Sequence, residues 1–127
     1  MTPTPAERDA LLANFSAALR DRDLDTLFRM VAPDFLWNYH DGVSVTKSLV
    51  GSGPISDHLA EQTATYAVQR FHERVYHHLD DMTFMTMRVS ETVRMTGEKR
   101  EQRGIERYTF KGGRIAIKDV YRKPIRV

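Results

Sequence analysis

The sequence predicts an α+β domain: a curved, mostly antiparallel sheet wrapped around N-terminal helices, with a central pocket. Three observations carry this reading. Apolar residues recur at helical spacing early in the chain, at Leu11, Leu12, Phe15, Ala18 and Leu19 and again at Leu24, Leu27, Phe28 and Val31. Residues 85–95 alternate instead, with Met85, Met87, Val89, Glu91, Val93 and Met95 against Thr86, Arg88, Ser90, Thr92 and Arg94. Finally, Gly112-Gly113 separates two further alternating runs, and paired glycines accept the positive φ angles of a tight hairpin turn. Helices gathered ahead of a strand meander pack on one face of the sheet.

Each element has a local cause. Thr4 is placed to cap a helix from about residue 5 to 20, with Pro5 at its first position and Glu7 completing a capping box. Asp23 caps a shorter second helix that Pro33 stops. Residues 35–40 form an aromatic strand, with Phe35, Trp37 and Tyr39 on one face and Leu36, Asn38 and His40 on the other. Asp41-Gly42 turns the chain, and residues 43–50 read as a short strand or a loop. A third helix begins near Pro54 and carries Ile55, His58 and Leu59; a further strand follows around residues 67–79, with Leu79-Asp80-Asp81 as its connection.

Length and composition narrow the class. The chain of 127 residues makes one domain, 1–127, and its 41% hydrophobic and 28% charged residues describe a globular protein. With no cysteine there is neither disulfide nor thiolate chemistry, and no histidine spacing matches a metal site. No apolar run approaches the ~18 residues of a membrane span, and the polar start Met1-Thr-Pro-Thr-Pro is not that of a signal peptide. A cytoplasmic protein with no membrane partner is expected. Net charge is +2, but residues 98–127 carry net +6. Lys and Arg on the wet faces of strands account for that excess, so nucleic-acid binding is not expected.

Strand parity singles out the candidate chemistry. In residues 103–111, Gly104, Glu106, Tyr108 and Phe110 share a face; in residues 115–122, Ile115, Ile117, Asp119 and Tyr121 do so, leaving Lys118 and Arg122 outside. Glu91, Glu106 and Asp119 are therefore carboxylates in apolar rows. Buried without partners they are costly, so they are either paired or line a cavity. Carboxylates sharing a partly dry site supply an acid and a base for proton transfer beside a carbonyl or a leaving hydroxyl. Trp37, Tyr39, Tyr108 and Tyr121 could wall such a cavity, and His58 lies on or beside the helix at its mouth.

The pattern Ala18-Leu19-x-x-x-Asp23-Leu24-Asp25-x-Leu27, Ala32-x-Asp34-Phe35, Gly53-x-Ile55 and Tyr108-x-Phe110-x-Gly112-Gly113-x-Ile115 resembles the SnoaL-like and ketosteroid-isomerase-like proteins of the nuclear-transport-factor-two-like cone fold. The resemblance implies a pocket protein, with cofactor-free cyclase, dehydratase or isomerase chemistry on a small apolar oxygenated molecule, or a non-catalytic binding or dimerisation domain. It implies a homodimer too, paired through the sheet's outer face at Arg88, Ser90, Thr92 and Arg94. On the isomerase pattern, the oxyanion tyrosine falls at Phe15 and the base at Tyr39, so steroid isomerisation by that route is not expected; the second oxyanion acid persists as Glu106. The cyclases' late-sheet acid/base residue corresponds to Asp119. The expected catalytic set is Asp119, Glu106 and Tyr39, with Phe15, Trp37, His58, Glu91, Tyr108 and Tyr121 contacting substrate and no cofactor.

Overall fold

The computed structural model describes residues 2–40 and 44–124. The expected turn at Asp41-Gly42 lies outside the described residues. Helix α1 spans Pro5–Asp21 and begins as the sequence dictates, with the Thr4 hydroxyl accepting from the Glu7 amide and the Glu7 carboxylate accepting from the Thr4 amide. Helix α2, Leu24–Met30, is capped by Asp23. Strands β1 (Val31–His40) and β2 (Val45–Val50) precede helix α3 (Ser52–Thr65), and β3 (Tyr66–His78), β4 (Met82–Val93), β5 (Lys99–Lys111) and β6 (Arg114–Pro124) complete the chain. The expected α+β cone is observed; the uncertain residues after position 43 hold an edge strand.

The six strands form an open sheet in the order β2-β1-β6-β5-β4-β3. All neighbours are antiparallel except β1 and β6, which run parallel. The helices cover one face and bury Leu12, Phe15, Leu27, Ile55 and Leu59 against Phe35, Trp37, Met85, Val89, Ile115 and Val120. Strand β1 starts earlier than the aromatic run suggests. Pro33 sits where the β1–β6 pairing is interrupted, between Val31 and Leu36, so its missing N–H breaks no ladder bond.

Two irregularities redirect side chains. The hairpin turn is the expected one, with Gly112 and Gly113 at φ 60° and 77° joining the paired residues Lys111 and Arg114. Beyond it, Ile115 faces Phe110 but Ile117 already faces Thr109, which leaves Ala116 as an extra residue in β6. This bulge reverses the parity of everything after it. Lys118 and Arg122 turn inward with Val120, whereas Asp119 and Tyr121 turn outward. In β3 the pairing with β4 shifts between His72 and Val75, where Glu73 adopts a left-handed φ of 55°.

Strand β4 also ends sooner than its alternation implies. Its inward row runs from Met85 to Glu91, but Met95 lies in the following turn and is 96% exposed. Arg94 folds back to donate to the carbonyls of Thr63 and Tyr66, so it does not extend the outer strand face.

Helix α1 is fastened to the far end of the sheet by Arg8, a buried arginine that sequence periodicity does not single out. Its guanidinium donates to the carbonyls of Leu79, Asp80 and Met82, and its Nε donates to that of Pro3. One side chain thus satisfies the acceptors of the β3–β4 turn. Replacing Arg8 with Met is expected to lower stability by about 1–3 kcal/mol, because the part-buried carbonyls of the turn lose their shared donor. Denaturant unfolding of Arg8→Met beside Arg8→Lys measures this, and the lysine should recover part of the loss.

Candidate functional site

Between the helices and the inner face of the sheet lies a cavity of about 770 Å³. Its walls come from α1, α3 and strands β1 and β3–β6, and include Trp37, Tyr39, His58, Met85, Glu106 and Tyr108. The parity of β1, β4 and β5 accounts for all of these except His58, which α3 supplies. Lys118 and Arg122 join them through the β6 bulge.

At the back of the cavity, Glu106 and Lys118 form a buried pair, with Nζ 3.6 Å from Oε1. The same oxygen accepts a short hydrogen bond from the Tyr108 hydroxyl. Among the described residues no hydrogen bond engages Glu106 Oε2. The Lys118 ammonium lies over the Trp37 ring at 4.1 Å and 5.4 Å from the Phe15 ring centroid. Burial pulls the lysine below its ordinary value, and the Glu106 charge opposes that pull. The Tyr108 hydroxyl is pushed well above its usual value, by burial first and by Glu106 second, so it remains a donor.

A second cluster stands nearer the mouth. The Lys47 ammonium lies 3.0 Å from His58 Nδ1, and His58 Nε2 lies 2.9 Å from the Tyr39 hydroxyl oxygen. An ammonium can only donate, so Nδ1 accepts and the Nε2 proton is directed at Tyr39. The phenol oxygen is then the acceptor in that bond, which leaves its own proton for a ligand in the cavity. Burial pushes Tyr39 up to about 12 against the opposing charge of Arg122. Burial and the Lys47 charge push His58 down to about 4. At neutral pH both groups are uncharged, and His58 orients Tyr39 rather than carrying a labile proton.

Of the residues expected from sequence, Glu106, Tyr39, Trp37, His58 and Tyr108 line the cavity together. Phe15 is fully buried behind it, edge-on to Tyr108 and Phe35. Glu91 is buried as well, but behind the wall: its Oε2 accepts from Gln69, whose amide also donates to Gln62. Asp119 and Tyr121 do not face the cavity, and their placement there is corrected by the Ala116 bulge. Asp119 accepts from Asn38, His40 and Arg107 on the opposite face, and Tyr121 stacks on His40 at 4.5 Å. Lys118 and Arg122 are the cavity residues that parity missed. Val120 carried the available signal, since an apolar residue five positions after Ile115 cannot share its face in a regular strand.

An open α+β cone enclosing a cavity of this size is the architecture of a ligand-binding fold. The chain belongs to the SnoaL-like domain family, whose model matches residues 12–117. Among solved structures it is similar to a nuclear-transport-factor-two-like protein from Burkholderia xenovorans LB400, at 14% identity and a TM-score of 0.82 over 94% of this chain and 92% of that one. A protein from Xanthomonas campestris pv. campestris named as a candidate polyketide cyclase gives 14% identity and a TM-score of 0.75, covering 91% and 90% of the two chains. A candidate isomerase from Bacillus subtilis gives 16% and 0.72, covering 93% and 87%. No functionally curated protein matches the sequence. No helix among the described residues is long and apolar enough to cross a membrane.

Two measurements follow from this electrostatic arrangement. Burial alone would raise the Asp119 carboxyl, but hydrogen bonds from His40, Arg107 and Asn38, with the Arg107 charge, hold it below its usual value. Its stabilisation is therefore present above the unfolded-state value and fades as pH falls through the lower folded-state value. Asp119→Ala is expected to cost about 2 kcal/mol at neutral pH, less in strong acid, while leaving ligand binding in the cavity intact. For His58 the unfolded chain takes up a proton near the ordinary imidazole value of 6.5 and the folded chain only at about 4. Stability should fall on acidification between these values, and His58→Asn should flatten that slope in melting curves recorded against pH.

Proposed function

We propose that this protein binds a small oxygenated molecule in the cavity and moves a proton on it without a cofactor, in a cyclase, dehydratase or isomerase type of reaction. The observation that carries this reading is the buried Glu106–Lys118 pair at the cavity wall. A carboxylate with one oxygen held by Tyr108 and the other unengaged is a general base in fixed orientation. In proton abstraction beside a carbonyl, Oε2 would take the C–H proton and negative charge would grow on the carbonyl oxygen. Lys118 and the free proton of Tyr39 are both donors suited to that oxygen, and the partly dry site strengthens their effect. Return of the proton at another carbon gives isomerisation; attack of the enolate on a second carbonyl gives ring closure; loss of a β-hydroxyl gives dehydration. Trp37, Met85 and Leu59 offer an apolar wall for the body of such a molecule. Relatives named as a candidate cyclase and a candidate isomerase are in keeping with this chemistry.

A non-catalytic binding domain is the second reading, favoured by the way Glu106 and Lys118 neutralise one another. The two readings separate on one substitution. Ketones and hydroxyketones would be screened for exchange of carbon-bound protons in deuterated buffer by NMR. Loss of a positioned general base typically lowers rate by ~10²–10⁴, so Glu106→Gln is expected to remove exchange while retaining fold and ligand binding. A folded Glu106→Gln protein with undiminished turnover would sink the catalytic assignment.

A further inference from the structure

The cavity is lined by seven Lys/Arg and two Asp/Glu side chains. Arg20, Arg22, Arg70, Arg74 and Arg94 are exposed at its rim, whereas Lys118 is buried and Arg122 half-buried among aromatic rings. Glu106 is already engaged by Lys118 and Tyr108, and Glu73 lies 3.7 Å from Arg88. Arg94 and Arg22 are occupied by backbone carbonyls. Arg20 pairs with Asp21 and Arg70 is exposed, which leaves the half-buried Arg122 and the exposed Arg74 set against aromatic rings. Their guanidinium carbons lie 5.3 Å and 5.8 Å from the centroid of the Phe71 ring, and Arg122 also lies 6.0 Å from that of Tyr39. Among the described residues neither guanidinium has a carboxylate partner, and Arg122 Nε is buried without an acceptor. Lys118 and Arg122 both point inward from β6, four residues apart with Val120 between them, so both charges lie on one wall.

A desolvated cation without a counter-charge is unfavourable, and a ligand anion relieves it. Arginine's planar fork matches a carboxylate in two parallel hydrogen bonds, and its aromatic neighbours suit a flat molecule. We infer that the ligand of this cavity is an organic acid: a small planar molecule whose carboxylate pairs with Arg122 and whose apolar body lies against Tyr39, Phe71 and Trp37. The inference rests on the reading that the cavity is the ligand site and names the chemical class that site accepts. With the carboxylate at Arg122, the remainder of the molecule extends along β6 towards Lys118 and Glu106. The substrate class is then a carbonyl- or hydroxyl-bearing acid, anchored by its charge and reacting at its other end.

The test uses binding alone, so it is independent of turnover. Trp37 is the sole tryptophan and lines the cavity, so its fluorescence reports occupancy. Aromatic carboxylates from benzoate to 2-naphthoate would be compared with their primary amides by isothermal titration calorimetry and, where absorbance permits, by Trp37 fluorescence. Carboxylates are expected to bind at least about tenfold more tightly than the amides, as a charge-assisted bond to a half-buried guanidinium implies. Added salt should weaken the carboxylates and spare the amides. Arg122→Gln should erase most of the preference, and Arg122→Lys should keep a part of it, with circular dichroism confirming the fold of each. Amides that bind as tightly as carboxylates, an unchanged preference in a folded Arg122→Gln protein, or no carboxylate binding at millimolar concentration would each overturn the inference. Amide binding without a charge preference would leave the proton-transfer reading standing; loss of exchange activity without loss of carboxylate binding would do the reverse.

Discussion

One extra residue in β6 decides the chemistry of the cavity. Without Ala116 as a bulge, the two-residue Gly112-Gly113 turn would carry the parity of Ile115 through the strand and bring Asp119 and Tyr121 inside. With it, Lys118 and Arg122 enter, and the wall gains two cations in place of a carboxylate and a phenol. The Glu106–Lys118 pair exists because the shifted register sets Lys118 opposite Tyr108, beside Glu106 on the same face of the hairpin. The side chains that the bulge expels are not wasted. Asp119 finds three donors on the outer face, and one of them, His40, stacks on Tyr121. A regular strand would place a third carboxylate beside Glu106 and Glu91 and strip the network around His40 of its centre.

The cavity sets uncharged donors beside charged groups. Tyr39 and Tyr108 keep their protons because burial penalises the phenolate. His58 is neutral for the same reason, and the Lys47 ammonium fixes which of its nitrogens carries the proton. Ordinary polar residues become oriented donors without any metal-binding cluster among the described residues. The aromatic rings serve twice: they exclude water, and they supply the faces over which Lys118 and Arg122 rest.

Scaffold and site draw on different residues. Capping at Thr4 and Asp23, the apolar stripe of α1 and the Arg8 clamp secure the helices on the sheet, and none of them bears on the proton-transfer chemistry proposed for the cavity. The SnoaL-like family pattern consists mostly of such scaffold residues, which is why it fixes the fold and leaves the reaction open. Glu106 and Tyr108 are the exceptions, since they line the cavity on the strand that carries the family's hairpin motif.

The sequence by itself determined the α+β class, the capped first helices, the Gly112-Gly113 turn and the inward rows of β1, β4 and β5. Each of these rests on contacts between near neighbours in the chain or on a strict period of two or 3.6. From those rows Trp37, Tyr39, Glu106 and Tyr108 were legible as cavity residues, and His58 from its place on the third helix. Tertiary structure decided the rest. The residues after Ile115 can satisfy either parity locally: Val120 favours one and Ile117 with Tyr121 the other. The balance is struck by partners on distant strands, because Asn38, His40 and Arg107 draw Asp119 outward while Trp37 and Glu106 receive Lys118 inside. No local rule contains those partners. A bulge costs little in a strand and re-aims every side chain beyond it, so the identity of the cavity's cations belonged to the folded sheet alone.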